Sequence, residues 1–326
     1  MTAAGEPLVT VLTPIYNTAQ YLSTCIESVL SQTYRNLDYV LVDNLSADRS
    51  LAIATSYAKE DSRIRVIRAD RFRAQIDNYN FALQHVSPDA QYFKYAQADD
   101  FLYPTCISAL VAVAEHHPTV GVVGSCDMRG TAVYRPSVPV GRNVFTGREA
   151  ARLYFLKWVF PFGSPTTVLF RSDVLCSRRP FFPDALHPDT EAVFGVLLER
   201  DFGFVHDVLS FIRMQDDSVS ARRRNLADSS LDRLIITKRF GEHFLNPSEY
   251  AACIRDTEQW YYRDLGRQWI RGRTTARERD REFWSYQQRG LSSIGEEVDW
   301  KRVRRSAARI VGDNLLNPRR LWPQKG

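Results

Sequence analysis

The feature that most constrains this chain is the alternation in its first hundred residues. Short runs of aliphatic and β-branched residues recur at 8–14 (LVTVLTP), 37–43 (LDYVLVD), 63–69 (RIRVIRA) and 91–97 (QYFKYAQ). Each reads as a buried strand. Between them lie segments of helical spacing. In the first, Tyr21, Leu22, Cys25, Ile26, Val29 and Leu30 recur at intervals of three and four, and Asn17 is placed to cap the helix. Ser46 or Asp48 would cap a second helix over about 50–60, and a third is predicted over about 75–86. Strands joined by helices cannot pair as hairpins. They form a mostly parallel sheet with helices on both faces, a Rossmann-like α/β fold.

In such a sheet ligands bind beyond the carboxyl ends of the strands. Thr13, Asp43 and the pair Asp99-Asp100 all fall at that edge, so three polar clusters distant in sequence should meet there. Two adjacent carboxylates in an apolar setting are costly unless a cation or a ligand's donors compensate them.

The middle of the chain is less regular. TVGVVGSCDM (119–128) reads as a strand, and TGREAARLYFLKWVF (146–160) as a helix capped by Thr146. FGSPTTVLFRSDVL (162–175) reads as a loop entering a strand, and HPDTEAVFGVLLERD (187–201) as a turn and helix. GFVHDVLSFIRMQ (203–215) is expected to give one or two short strands. Beyond about 225 the pattern turns helical and polar. Two domains are therefore expected, 1–225 and a helical, arginine-rich extension over 226–326.

Charge follows that division. Residues 221–326 hold 23 Lys+Arg against 14 Asp+Glu, a net of +9, whereas the first 220 residues carry 20 against 24, a net of −4. No nucleic-acid motif accompanies the basic tail, so no nucleic-acid partner is expected. Within it, Trp300, Val303, Ala307, Ile310 and Val311 recur at helical spacing with arginines between. The expectation is packing against the first domain with transient contact at a membrane surface. No run of about 18 apolar residues is present. The five cysteines are scattered, without a CxxC pair, which argues against a disulfide framework or zinc site and fits a reducing cytosol.

The stretch VTVLTPIYNTAQYLSTCIESVLSQTYRNLDYVLVDNLSAD (9–48) resembles the opening of family 2 glycosyltransferases, inverting enzymes of the GT-A fold. The family's P-x-Y-N turn corresponds to Pro14–Asn17, its S-[IVL]-L-x-Q-[ST]-Y segment to Ser28–Tyr34, and its V-D-D to Val42-Asp43-Asn44. YAQADD (95–100) is similar to its aspartate-rich strand end, often D-x-D-D. The resemblance covers about residues 8–220 and leaves the tail uncovered.

That resemblance implies a nucleotide-sugar donor, a divalent metal (Mg²⁺ or Mn²⁺), and transfer of a sugar to a hydroxyl of a saccharide or lipid-linked saccharide, in surface polysaccharide or lipid-linked glycan synthesis. It implies a cytoplasmic protein, peripheral at the inner membrane face. Oxygen ligands suit either metal, and Asp100 is the expected ligand. Asp99 would contact the ribose or share the metal. Asp43 would accept from the base, with Thr13, Pro14 and Tyr16 lining the nucleotide pocket. Arg73 is a candidate for base or phosphate contact, and Gln75 stands where glycine is common. A general base is implied at the start of the helix in HPDTEAVF: Asp189, with Glu191 second. Gly163 and Ser164 would face the acceptor.

The sequence departs from the family pattern twice. Gln97 holds the first position of D-x-D-D, and Arg213-Met214-Gln215 stands for R-x-H. These favour an alternative, a catalytically silent nucleotide-sugar-binding protein. A dinucleotide oxidoreductase would need G-x-G-x-x-G after the first strand, and TPIYNTAQ has no glycine.

Overall fold

A computed structural model describes residues 5–214, 226–272 and 277–316. The chain forms two compact units, Met1–Met214 and Gln215–Gly326.

The first unit is built on one ten-stranded mixed sheet. Its N-terminal half is β1 (Val9–Ile15), β2 (Leu37–Asp43), β3 (Ile64–Arg68) and β4 (Tyr92–Tyr95), in the order β3-β2-β1-β4 with every neighbour parallel. The alternating strands and helices predicted from sequence are present. The chain leaves β1 towards β2 and β3, then returns to pair β4 on the other side of β1. That reversal opens a crevice at the carboxyl ends of β1 and β4. Register sets the edge: Ile15 lies opposite Asp43, and Asp43 opposite Arg68.

Helix α1 (Ala19–Leu30) buries Leu22, Cys25, Ile26 and Val29 against this sheet. Its start differs from expectation. Asn17 is not the cap; it adopts a left-handed backbone, φ 51°, and its side-chain oxygen accepts from Ala47 N–H at 2.8 Å. Asp48 does the capping from a distance. One carboxylate oxygen accepts from Ala19 N–H at 3.0 Å, and the other from Ser50 N–H at 2.9 Å, at the first turn of α2 (Ser50–Glu60). One acid thus satisfies donors at two helix starts. Helix α3 (Gln75–Leu83) leads to β4.

The sheet continues through β5 (Phe101–Leu102), β6 (Val120–Arg129), β7 (Ala132–Tyr134), β8 (Val144–Phe145), β9 (Leu169–Arg171) and β10 (Asp201–Ile212). Strand β9 runs antiparallel between β4 and β6, and β10 lies parallel to β6. GFVHDVLSFI is part of one twelve-residue strand; register shifts around Val205 and Val208 interrupt its alternation. Helices α4 (Cys106–His116), α5 (Gly147–Lys157) and α6 (Pro188–Leu197) complete the unit. Thr146 caps α5 in a reciprocal pair with Glu149.

The second unit is helical: α7 (Asp228–Phe244), α8 (Pro247–Arg271), α9 (Arg277–Ser292) and α10 (Trp300–Leu316). Asn246 and Glu249 form a capping box at the start of α8, with Pro247 at its first position. Lys238, Glu258, Glu296 and Arg302 tie α7, α8, the segment after α9 and α10 into one ion-pair network.

Candidate active site

The crevice has three parts. At the first, β2 delivers Asp43 to the edge with its side chain fully buried. One oxygen accepts from Ser46 N–H at 3.2 Å. The other, Oδ2, has no hydrogen-bond partner, and Arg68 Nε stands 4.0 Å away. A buried carboxylate oxygen without a donor carries a desolvation cost that a ligand N–H would relieve. Just beyond the end of β1, Tyr16 is 47% exposed and meets Phe72, 57% exposed, with ring centroids 5.0 Å apart. Pro14, two residues earlier, is half-buried.

The Phe72 loop is pinned. Asn44 accepts from Arg73 N–H at 3.0 Å and donates to the Arg73 carbonyl at 2.8 Å. The Arg73 guanidinium bonds Asp70 at 2.6 Å and the Arg71 carbonyl at 2.9 Å, and lies 3.9 Å from the Phe81 ring centre. Arg73, a candidate ligand contact, therefore spends its guanidinium on its own loop. Gln75 is exposed at the start of α3. Thr13 is a correction. Its side chain is fully buried, and its hydroxyl donates to the Ala96 carbonyl at 2.8 Å, with Tyr39 Oη at 3.0 Å. It fastens β1 to the segment after β4 and does not line a pocket.

The second part follows β4. Asp100 is almost fully buried. Its Oδ2 accepts from Thr166 Oγ1 at 2.6 Å, and its Oδ1 from Arg213 N–H at 2.9 Å. Burial, reinforced by the charge of Asp99, pushes its pKa up to about 7. Asp99 is half-buried, and burial raises its pKa also. Both oxygens of Asp100 thus answer to protein donors, and Asp99 is the more accessible of the pair. Gln97 accepts from Tyr79 Oη at 3.1 Å.

Sequence reasoning gave no role to Thr166, Arg213 or Lys94. Thr166 also accepts from Gln97 N–H at 3.2 Å. The Arg213 side chain donates to the Asp99 carbonyl at 2.9 Å and lies over Tyr21. Lys94 is fully buried in β4. It donates to the carbonyls of Thr166 and Val168, the latter at 3.2 Å, and burial pulls its pKa down. A lysine inside an otherwise apolar strand was the available signal. Gln215 lies outside the described residues.

The third part is a small, open cleft. Gly163, Ser164, Asp189 and Thr190 line it beside an apolar wall that includes Phe162 and Phe182. The expected acceptor-side pair and the first candidate base therefore share one cleft. Gly163 has φ +64°, and a Cβ there would stand 2.0 Å from Thr167 Oγ1, so the turn requires glycine. Ser164 Oγ is buried without a hydrogen-bond partner. Glu191 is buried two residues further into α6 and does not line the cleft. Among the described residues no three His, Cys, Asp or Glu side chains form a metal cluster.

Residues 10–177 match the sequence profile described as Glycosyl transferase family 2. Glycosyltransferase GlyG of Streptococcus pneumoniae is 30% identical over 118 residues, 36% of this chain and 38% of that protein. Putative glycosyltransferase EpsE of Bacillus subtilis is 35% identical over 141 residues, 41% of this chain and 50% of that protein. The chain thus spans half or less of the length of these two relatives. In fold it is similar to TarS residues 1–349 of S. aureus in complex with UDP-GlcNAc. The TM-score is 0.61 at 14% identity, covering 87% of this chain and 81% of that one. It is likewise similar to the mannosyltransferase PcManGT from Pyrobaculum calidifontis in complex with GDP-Man and Mn²⁺. There the TM-score is 0.58 at 18% identity, covering 97% and 83%. With that profile spanning half the sequence and the sheet carrying the same architecture, the chain belongs to glycosyl transferase family 2.

Proposed function

We propose that the chain is an inverting glycosyltransferase that moves a sugar from a nucleotide-sugar donor to a hydroxyl acceptor. The observation that carries this reading is the unpartnered buried oxygen of Asp43. It lies beside an exposed aromatic pair, on the sheet edge that also holds Asp99 and Asp100. A base with an N–H on its pairing edge would donate to Asp43 while Tyr16 packs against its face. The diphosphate would then reach towards the aspartates.

The acidic pair fits a divalent cation shared with a diphosphate. Two partly desolvated carboxylates repel one another, and Mg²⁺ or Mn²⁺ sites of this kind use one or two carboxylates plus phosphate oxygens. Asp99, the more accessible, would hold the cation, with Asp100 behind it on Thr166 and the Arg213 backbone. When bound, the cation neutralises charge on the departing diphosphate. The mannosyltransferase neighbour is in complex with GDP-Man and Mn²⁺.

Asp189 is the general base. It takes the proton of the acceptor hydroxyl as that oxygen attacks the anomeric carbon. The bond from that carbon to the diphosphate breaks with its electron pair on the diphosphate oxygen, so configuration inverts. Asp189, Ser164 and the apolar wall of one cleft support an acceptor seated there. A saccharide or lipid-linked saccharide at the inner face of a membrane is the acceptor class we favour, on the family alone. No helix among the described residues is long and apolar enough to cross a membrane.

The second reading, a silent nucleotide-sugar binder, draws on Gln97, which replaces an acid and is committed to Tyr79. Incubation with UDP-, GDP- and dTDP-sugars and Mn²⁺ separates the two. Release of nucleoside diphosphate that stops in Asp189→Asn supports the transferase. Binding without any release at all supports the silent protein.

A further inference from the structure

We infer that helix α10 docks the protein on an anionic phospholipid surface. One side of this helix is committed to the protein. Val303 and Ala307 are buried, and a Cβ at Gly266 of α8 would stand 2.9 Å from Ala307 N, so the two helices meet at backbone distance. Arg302 belongs to that side as well, bonded to Glu258 at 2.8 Å and lying 4.0 Å from the Tyr262 ring centre.

The other side has a different character. Lys301, Arg304, Arg305 and Arg309 are all exposed, and among the described residues none makes an ion pair. At 3.6 residues per turn the four fall within an arc of about 140°. Lys301 and Arg305, and Arg305 and Arg309, are four apart, and Lys301 and Arg304 three apart. Each like-charged pair at such spacing destabilises a helix. Asp299, the acid just before them, is spent on the helix start, accepting from Lys301 and Arg302 N–H at 2.9 and 3.0 Å. Asp313, exposed and four residues beyond Arg309, lies just outside this arc and opposes only its far end; a helix that concentrates positive charge on one face in this way is complementary to a surface of negative charge.

Two apolar side chains select the kind of surface. Trp300 and Val311 are each 45% exposed, Trp300 with one side of its ring against Trp284 at 4.6 Å between centroids, and the helical repeat puts both at one margin of the basic arc. An aromatic and an aliphatic group beside arginines suit the boundary between phosphates and acyl chains, where a tryptophan ring partitions favourably. A purely electrostatic partner such as a nucleic acid gives them nothing to enter. Basic side chains near an anionic leaflet contribute additively, so four of them suffice for reversible binding that salt weakens.

Such docking would bring the protein to the membrane that carries the acceptor class proposed above, and it rests on the C-terminal unit alone. The test uses the full chain and sedimentation with vesicles of phosphatidylcholine, with and without phosphatidylglycerol. Binding should require the anionic lipid, weaken in high salt, and fall about tenfold or more when Lys301, Arg304, Arg305 and Arg309 are changed together to glutamine. Trp300→Phe should remove part of the tryptophan blue shift seen on anionic vesicles. Circular dichroism checks that the variants keep their helices, and donor turnover in solution should be unchanged, so loss of docking is distinguishable from loss of chemistry. Equal sedimentation with neutral vesicles, undiminished binding by the four-residue variant, or binding of a DNA duplex in preference to anionic vesicles would overturn the inference.

Discussion

The two ends of the crevice are built in opposite ways. At the nucleoside end the protein leaves groups unfinished: Asp43 keeps one buried oxygen without a donor, and Tyr16 and Phe72 expose their rings. At the acidic end almost every polar group is already answered. Thr166 and Arg213 hold Asp100, Lys94 holds the carbonyl of Thr166, and Tyr79 holds Gln97. The difference separates two tasks. In the proposed function the first end would gain its missing interactions from the ligand and so contribute affinity and selectivity. The second is organised in advance, which suits a place where charge develops during reaction.

If that contrast is right, substitutions at the two ends should divide between rate and affinity. The largest effect is expected beside the acidic end, in the acceptor cleft. Asp189→Asn should lower kcat by about 10²–10⁴-fold, the usual contribution of a general base, with donor affinity nearly unchanged in calorimetry. Thr166→Val removes the hydroxyl that supports Asp100 at nearly constant volume. A fall of about 10–100-fold in activity is expected, with a weaker response to added Mn²⁺ measured by metal titration. Asp43→Asn keeps the shape of the nucleoside end but weakens its acceptor. Donor KM should rise about tenfold while kcat holds, read from initial rates over a donor series. Smallest of all, Thr13→Val should cost about 1 kcal/mol in urea unfolding and leave donor KM where it was, because that hydroxyl serves the fold. A large donor effect in Thr13→Val would break the division.

Much of the first end was legible in the sequence, and for a physical reason. A buried strand declares itself by composition and length, and its last residue then sits at the edge; LDYVLVD and Asp43 follow directly. Tyr16, just past the end of β1, was expected from the resemblance of Pro14–Asn17 to the family's P-x-Y-N turn. Thr13 was misplaced because it lies within β1, a strand covered on both faces, where its hydroxyl is taken up by the Ala96 carbonyl, whereas Tyr16 lies past the strand end. Phe72 was missed since no period marks a loop residue.

At the acidic end the partners are remote in sequence. Thr166 and Arg213 lie 66 and 113 residues from Asp100, and only the fold brings them to it. The sequence can show a pair of aspartates; it cannot show which one is turned inward. Asp189 and Glu191 present a milder case. Two residues apart on a helix they face different ways, and the structure sends Asp189 to the cleft and Glu191 to the interior. In β10 the register shifts near Val205 and Val208 hid a single long strand behind a broken alternation.

The central claim is that a nucleoside diphosphate sugar binds across this crevice, with its base on Asp43 and its diphosphate near Asp99. The most direct measurement is a calorimetric titration with UDP-, GDP- and dTDP-sugars, with and without Mn²⁺, on the native chain, Asp43→Ala and Asp99→Ala. One donor should bind the native chain more tightly with Mn²⁺. Asp43→Ala should weaken it under both conditions, and Asp99→Ala should abolish only the gain from the metal. Binding that is indifferent to both substitutions, or no binding of any nucleotide sugar, would contradict the account.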